Sequence, residues 1–386
     1  MYPLGFRNKK DERKKKDFFL KNGAAVLEKL IRLHNGDCNL IRSYSAQQLH
    51  NATGNFRWEI HEDWNYKLYK GFHEDREISV KKFKSRKEDQ LQGIANEVAI
   101  ASRMSNHNNV LKLLGCCLET ELPLLVYEFP VLGNLGSTIY RPIDNQLPWE
   151  LRLRMVTGIA NAVAYLHHGL SKMIIHRDIK PRNIFLDEGH TAKLFEFQEA
   201  IPIPEGETHV DVETIYGTYG FLAPEVAVHM RHTEKSDVYA FGVLLFEVLT
   251  GKKFNELLLW QREIFNNKSS DMRVQSYNIC SQQGETREPV SSSVQPNDSS
   301  EEIIHECSDI FPQEEAKRAP LNSSDLMKGN IYGRVIEHYC EIYPQEENRA
   351  QVPEYVKLVL RCVKENPDER PNMIEVEKAL RRIKTI

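Results

Sequence analysis

The run His176-Arg-Asp-Ile-Lys-Pro-Arg-Asn183 constrains this chain more than any other feature of its sequence. It places a carboxylate at Asp178, an ammonium group at Lys180 and a side-chain amide at Asn183. In phosphoryl transfer, a carboxylate accepts the proton of the attacking hydroxyl, a cation steadies the γ-phosphate, and an amide oxygen holds magnesium. The spacing predicts these catalytic roles at the three positions, although the same hydrogen-bonded loop also braces a fold in which no catalysis takes place.

Segments upstream of this run resemble the nucleotide-binding parts of a eukaryotic protein kinase, in the same order along the chain. Ile78-Ser-Val-Lys81 resembles the strand that presents a phosphate-binding lysine, and Glu97 lies on a predicted helix, where it pairs with that lysine. Leu124-Leu-Val-Tyr-Glu-Phe129 resembles the strand that leads to the hinge of the adenine pocket. The resemblance implies ATP and Mg²⁺ as cofactors, with cofactor-binding positions at Leu68, Lys81, Glu97, Tyr127, Glu128 and Phe129.

Segments downstream resemble architectural parts of the larger kinase lobe. Gly217-Thr-Tyr-Gly-Phe-Leu-Ala-Pro-Glu225 resembles the end of the activation segment, and Asp237 lies at the start of the predicted central helix. The resemblance implies an ion pair between Arg370 and Glu225 and a structural role for Asp237. Arg177 is expected to grip a phosphate on the activation segment, unless the hydroxyls there are simple surface groups. The candidate hydroxyls are those of Thr208, Thr214, Tyr216, Thr218 and Tyr219.

The loop that should cover the phosphates departs from this pattern. There is no glycine between Gly54 and Gly71, and the three glycine positions fall on His61, Asp63 and Tyr66. A glycine-rich loop works because its bare backbone N–H groups approach the phosphates closely and tolerate positive φ. Tyr66 is therefore expected to crowd the phosphates and Asp63 to repel them, unless the loop folds outward and spares the site.

The metal-binding signature also departs from the pattern, because Phe195-Glu-Phe-Gln198 stands where a kinase has x-Asp-Phe-Gly. Asn183 and Glu196 are the metal ligands by spacing, but magnesium demands near-octahedral geometry. The extra methylene of Glu196 displaces its carboxylate by about 1 Å, and such misplacement can cost about a hundredfold in rate. We therefore predict a pseudokinase. The alternatives are an active Ser/Thr protein kinase and a nucleotide-responsive scaffold that binds ATP without hydrolysing it.

The order of elements predicts an α+β, two-lobed protein-kinase fold. Short strands and one helix are followed by a mostly helical remainder. The expected strands are 66–69, 78–83, 111–118 and 123–129, and the expected helix is 88–104. The expected domains are an N-terminal extension at 1–50, a small lobe at 51–130 and a large lobe at 131–386.

The N-terminal extension combines a basic tail with a helix. Residues 7–17 carry seven basic residues against three acids, so this tail either contacts anionic phospholipid or is a solvated tail. The apolar positions predict one helix face, which docks on the chain's own domain or on a partner, and Asn35-Gly36 ends the helix. The face comprises Val26, Leu27, Leu30, Ile31 and His34.

The segment 262–325 differs in composition from the rest of the large lobe. Residues 266–325 contain twelve serines, and eleven acids against five bases. Such a segment buries too little apolar surface to offset its ordering entropy, so we predict a disordered insertion. It serves either as a phosphorylation-controlled docking segment or as a passive insertion.

Charge and composition exclude other classes of protein. The net charge of −4 argues against bulk electrostatic binding to nucleic acid. No apolar stretch approaches the roughly 20 residues that span a bilayer. The seven cysteines do not show the spacing of metal ligands, so reduced thiols are expected. The expected location is the cytoplasm, with the inner face of the plasma membrane as an option.

From about residue 41 to 384, outside the insertion, the chain resembles a plant receptor-like cytoplasmic kinase of the wall-associated-kinase branch. The segments Tyr44–Phe56, Leu113–Glu119 and Phe221–Glu225 carry this likeness. Lys21–Lys29 and Ile201–Thr208 resemble the ZRK (ZED-type resistance-related kinase) subfamily. This resemblance implies a kinase-like adaptor that links a nucleotide-binding leucine-rich-repeat (NLR) immune receptor to receptor-like cytoplasmic kinases.

Overall fold

The computed structural model describes residues 9–34, 41–84, 90–141, 147–254 and 350–386. These residues form the α+β, two-lobed architecture that the sequence predicted, with a sheet-rich small lobe and a helical large lobe. The predicted insertion at 262–325 and the predicted helix end at Asn35-Gly36 lie outside the described residues.

The small lobe is built on a six-stranded sheet with the order β1-β5-β6-β4-β3-β2. Only the β1–β5 pairing in this sheet is parallel. Along β3, Tyr66 and Leu68 are buried while the residue between them is partly exposed, because side chains alternate across a strand. The strands are β1 (Arg42–Ser43), β2 (Glu59–Glu62), β3 (Tyr66–His73), β4 (Arg76–Phe83), β5 (Leu113–Cys117) and β6 (Leu124–Glu128). The helices are α1 (Lys9–His34), α2 (Ala46–Ala52) and α3 (Gln90–Met104).

The large lobe is organised around a buried helix, α7, which packs against α5 and α8. Gly242 permits the contact with α8, since a Cβ at this position would lie 2.6 Å from the Cβ of Cys362. The helices are α4 (Gly136–Ile139), α5 (Trp149–His168), α6 (Pro224–His229), α7 (Glu234–Thr250), α8 (Gln351–Cys362) and α9 (Met373–Ile383). The short strands are β7 (Ile174–Ile175), β8 (Ile184–Leu186), β9 (Ala192–Leu194), β10 (Ile201–Pro202), β11 (Val210–Asp211) and β12 (Arg231–His232).

Local sequence signals account for where several helices begin. Ser45 and Gln48 form a capping box at the start of α2, which satisfies two backbone donors that have no partner inside the helix. Thr233 caps α7 in the same way, and Asn372 caps α9. These caps are encoded locally, so they are readable from the sequence alone.

Helix α1 docks on the small lobe, as expected, but with only part of the predicted face. Val26 and Leu30 are buried against the lobe, whereas Leu27 and Ile31 are 57% and 54% exposed. Helix α1 packs on α3, and the amide of Asn22 donates to two backbone carbonyls of the loop after β5, which fixes the rotation of the helix. The predicted face is confirmed for Val26, Leu30 and His34, which is also buried, and wrong for Leu27 and Ile31, because apolar residues lie on both sides of this helix.

Among the residues that the structure describes, no helix is both long enough and apolar enough to cross a membrane.

Candidate functional site

The predicted catalytic-loop residues lie within hydrogen-bonding distance of one another. Asp178 Oδ2 lies 2.8 Å from Lys180 Nζ and accepts a 2.7 Å hydrogen bond from the Asn183 amide. Thr218 of the activation segment donates to Asp178 Oδ1 at 2.7 Å and accepts from Lys180 at 2.9 Å. The Asn183 Oδ1 atom is buried and has no hydrogen-bond partner among the described residues, so this oxygen retains free lone pairs for a cation.

The backbone of this loop is held by Asp237 at the start of α7. The buried Asp237 carboxylate accepts hydrogen bonds from the backbone N–H groups of His176, at 2.8 Å, and Arg177, at 3.0 Å. These bonds hold Arg177 at a φ of +73°, a left-handed conformation that is costly for a residue with a Cβ. His176, through its Nε2, lies 3.1 Å from the Phe195 carbonyl and so ties the loop to the metal-signature segment.

The predicted phosphate-binding lysine is buried where the small lobe meets the metal-signature segment of the large lobe. Lys81 is completely buried, and its Nζ lies 2.6 Å from Glu97 Oε2 and 2.7 Å from Glu196 Oε2. The rings of Tyr66 and Phe195 lie 4.2 and 5.0 Å from the same nitrogen. Two carboxylates and three aromatic rings, the third being Phe83 at 4.9 Å, therefore surround the ammonium group.

Glu196 belongs to this buried ion cluster. It stands where the kinase pattern has a metal-binding Asp, and it directs an oxygen to Lys81 with a backbone φ of +72°. Burial raises the pKa of Glu196 to about 8, against the lowering effect of Lys81, and Glu97 adds to the rise. Two carboxylates share a single ammonium, so the cluster is neutral when Glu196 holds a proton. Burial alone would lower the pKa of Lys81, but Glu196 and Glu97 outweigh it and raise that pKa.

Aromatic side chains from the two lobes meet where the phosphate-covering loop was predicted. His61 on β2 packs edge-on against Phe185 on β8, with ring centroids 5.4 Å apart, and Tyr66 packs similarly on Phe195. A purine between two walls needs a van der Waals contact of about 3.5–4.0 Å on each side, and hence at least about 7 Å between the walls. The His61–Phe185 contact is shorter than that. In this arrangement no purine fits between these two rings.

The turn between β2 and β3 is fastened to the large lobe, contrary to the alternative in which it folds outward. The buried Asn65 donates to the side chain of Gln198 at 3.0 Å, and Arg182 donates to the Glu62 carbonyl at 3.0 Å. Asp63 accepts from its own neighbour, the backbone N–H of Trp64, at 2.7 Å. The signature residue Gln198 thus serves as a tether between the lobes.

The predicted hinge residues also make contacts within the protein. Tyr127 is completely buried and donates to Glu97 Oε1 at 2.6 Å. The Ser79 hydroxyl donates to the backbone carbonyl of Glu128 at 3.0 Å. Phe129 lies beneath the ammonium group of Lys70, at 4.4 Å from the ring centroid. Leu68, the last predicted pocket residue, is completely buried in β3.

The activation-segment hydroxyls fall into different environments. Thr218 is engaged by the catalytic loop, whereas Thr208, Thr214 and Tyr219 are exposed. Tyr216 lies beneath the guanidinium of Arg177, at 5.1 Å from the ring centroid. The Arg177 Nη1 donates to the Glu199 carbonyl, and its Nη2 is buried without a hydrogen-bond partner in the described part of the chain.

The ion pair between Arg370 and Glu225 is present, with distances of 2.7 and 2.8 Å. Sequence reasoning missed Phe185, Phe195 and Asn65, which fill or close the cleft. No local signal identified them, because each contacts a residue distant in the chain.

Comparisons with known proteins identify relatives of this chain. A family model described as a protein kinase domain matches residues 67–380. "Serine/threonine-protein kinase ZRK1" of Arabidopsis thaliana is 34% identical over 98% of this chain and 95% of its own length. Two relatives from the same plant, "Non-functional pseudokinase ZRK2" and "Non-functional pseudokinase ZED1", are 43% and 41% identical over 64% and 63% of this chain, covering 70% and 73% of their own lengths. "Wall-associated receptor kinase-like 6" is 39% identical over 62% of this chain and 38% of its own length.

Proposed function

Because this chain belongs to the protein kinase family, and within it to the ZRK/ZED-type subfamily, we propose that it is a kinase-like adaptor in plant immune signalling that does not transfer phosphate. The observation that carries the proposal is the contact of Glu196 with Lys81, which adds a second carboxylate to the Lys81–Glu97 pair that active kinases also have. A lysine that orients the α- and β-phosphates must be open to them, and this one serves as a buried structural cation.

The adaptor role rests on subfamily membership together with the exposed surfaces of the molecule. In this proposal the chain links an NLR immune receptor to receptor-like cytoplasmic kinases. The activation segment at 196–225 is one candidate docking surface, since several of its hydroxyls are exposed. Phosphorylation there by a partner kinase would place negative charge near Arg177, whose Nη2 has no hydrogen-bond partner among the described residues.

Adding nucleotide is expected to change neither the thermal stability of this protein nor its phosphorylation. Millimolar ATP with magnesium should not shift the unfolding temperature, whereas a ligand at 100 times its dissociation constant would add about 2.7 kcal/mol of stability. Radiolabelled ATP should give no more phosphate transfer by the wild-type chain than by Asp178→Asn. Differential scanning fluorimetry and an autophosphorylation assay provide the two readouts.

The same variant tests the adaptor role in the plant. Asp178→Asn should support immune signalling as well as the wild-type chain, because binding and not catalysis is the proposed activity. Phosphate transfer by the wild-type chain that is absent from Asp178→Asn would overturn the proposal.

A weakly active Ser/Thr protein kinase is the second candidate, and one observation favours it. Asp178, Lys180 and Thr218 are already hydrogen-bonded in the arrangement that phosphoryl transfer needs, and Asn183 keeps a free oxygen for a metal. Such a kinase would need His61 and Phe185 to separate before ATP could enter. A thermal shift with ATP but no transfer would instead identify the nucleotide-responsive scaffold.

Peripheral contact with the plasma membrane is a separate proposal, supported by the outward face of α1. Leu20, Leu27 and Ile31 share this face and are 59%, 57% and 54% exposed. The same side of the helix carries Arg13 and Lys16 toward its start, since residues three or four apart lie on one face. An apolar stripe flanked by basic residues fits an anionic lipid surface.

Vesicle sedimentation tests this contact. The full chain should bind vesicles that contain phosphatidylserine more strongly than phosphatidylcholine vesicles, and added salt should weaken the binding. The double variant Leu27→Asn/Ile31→Asn should lose most of it, whereas Val228→Asn, an exposed apolar residue of α6, should not. Equal binding by all three proteins would refute the assignment to this face.

A further inference from the structure

A cluster of metal-ligand side chains lies outside the nucleotide cleft, where the end of α5 meets the start of α7. We propose that His167, His168 and Glu234 bind a divalent transition-metal ion of the zinc class. One ligand atom from each residue lies within 4.8 Å of the other two. Two imidazoles and one carboxylate are a ligand set that suits zinc, whereas calcium and magnesium prefer oxygen ligands alone.

The hydrogen bond between His167 and Asp237 leaves the other ring nitrogen of His167 available to a metal ion. Its ring is buried, and Nε2 lies 2.8 Å from the Asp237 carboxylate, so Nε2 carries the proton. The Nδ1 atom therefore has a free lone pair, and this buried atom has no hydrogen-bond partner in the described part of the chain. Histidines that bind metals usually donate their other ring N–H to a carboxylate, which is the arrangement found here.

Glu234 supplies the second unsatisfied atom of the cluster. Its Oε2 is buried and lacks a hydrogen-bond partner among the described residues, yet it lies 3.3 Å from His168 Nε2. Its other oxygen, Oε1, lies 3.8 Å from the ammonium group of Lys235. Two buried acceptor atoms without donors in one cluster are unusual in a folded protein, and a cation would satisfy both.

The distances between the ligand atoms and such an ion can adjust, because one histidine is fixed and the other side chain can rotate. His167 is fixed by Asp237, whereas the His168 side chain is 30% exposed and can rotate toward the ion. Three protein ligands leave one tetrahedral position open for water or for a group from a partner. Through Asp237, which holds the backbone of the catalytic loop, the ion would also stabilise that loop.

Zinc binding by the full-length, tag-free chain tests this site. Isothermal titration should give one zinc ion per chain and a higher unfolding temperature with zinc than with a chelator. Cobalt should give the visible absorption of a tetrahedral site.

His168→Ala and Glu234→Gln should each weaken zinc binding by at least about tenfold, since even partners of the ligands contribute about 10–100-fold. Both residues are less buried than His167, so these variants preserve the fold.

His229→Ala, which removes an exposed histidine of α6, is the matched control and should bind zinc like the wild-type chain. Unchanged zinc affinity in both His168→Ala and Glu234→Gln would overturn the proposal, since the ion would then bind elsewhere. Absence of binding by the wild-type chain at micromolar zinc would overturn it as well.

Discussion

Replacing Lys81 with methionine is expected to lower the free energy of unfolding by about 3–5 kcal/mol, the usual effect of removing one partner from a buried ion pair. The side chain of Lys81 is 0% exposed, and its ammonium group is the only cation that contacts both Glu97 and Glu196 among the described residues. Methionine fills a similar volume but leaves two buried carboxyl groups facing each other. Urea unfolding followed by tryptophan fluorescence measures the change.

A second substitution, at one of the two carboxylates that contact Lys81, provides the control for this prediction. Adding Glu196→Gln to Lys81→Met removes one of the two opposed carboxyls and should restore part of the lost stability. Asp178→Asn, whose partly exposed carboxylate lies in the neighbouring loop, should change the unfolding free energy much less. A loss below about 1 kcal/mol for Lys81→Met would place the lysine in contact with water and would contradict its structural role.

Replacing Arg370 with alanine should have an effect of similar size, about 3–5 kcal/mol, but in the large lobe. Its fully buried guanidinium forms two hydrogen bonds with the Glu225 carboxylate. It also donates to the backbone carbonyls of Lys364, Lys235 and Glu365. Alanine leaves a largely buried carboxylate and several carbonyls without donors, and each such loss is destabilising. Chemical unfolding measures this loss too.

Arg231 is the matched control for that variant. It forms an ion pair with Asp211 across β11 and β12, where the two side chains are 50% and 58% exposed. Exposed pairs contribute little because water and salt screen them, so Arg231→Ala should cost less than about 1 kcal/mol. Similar losses from Arg370→Ala and Arg231→Ala would mean that burial is not what makes the Arg370 pair important.

The catalytic-loop residues show how far sequence reasoning reaches at this site. Asp178, Lys180 and Asn183 lie within six positions of one another, so their spacing alone predicts that they meet. The pairing of Lys81 with Glu97 was predictable too, because both residues stand in segments that resemble those of a protein kinase, where such a pair forms. Capping boxes such as Ser45 with Gln48 were readable because of their short spacing.

Contacts between segments that are distant along the chain could not be predicted from the sequence. The sequence indicated that Tyr66 and Glu196 were unsuited to a nucleotide site, but not that they would surround Lys81. The expectation for Glu196 was a displaced metal ligand, and the structure places its carboxylate against the lysine instead. Likewise, both sides of α1 are apolar, and only the docked position of the helix shows which side is buried.

The amino-acid sequence by itself determined the kinase fold, the catalytic loop, and the loss of the glycines and of the metal-binding aspartate. These features depend on residue identity at short, fixed spacings along the chain. The tertiary structure alone decided which side chains meet around the predicted nucleotide site, with His61 against Phe185 and Lys81 between two carboxylates. Such contacts join residues far apart in sequence, and packing in three dimensions selects them because a buried charge or ring must find a partner.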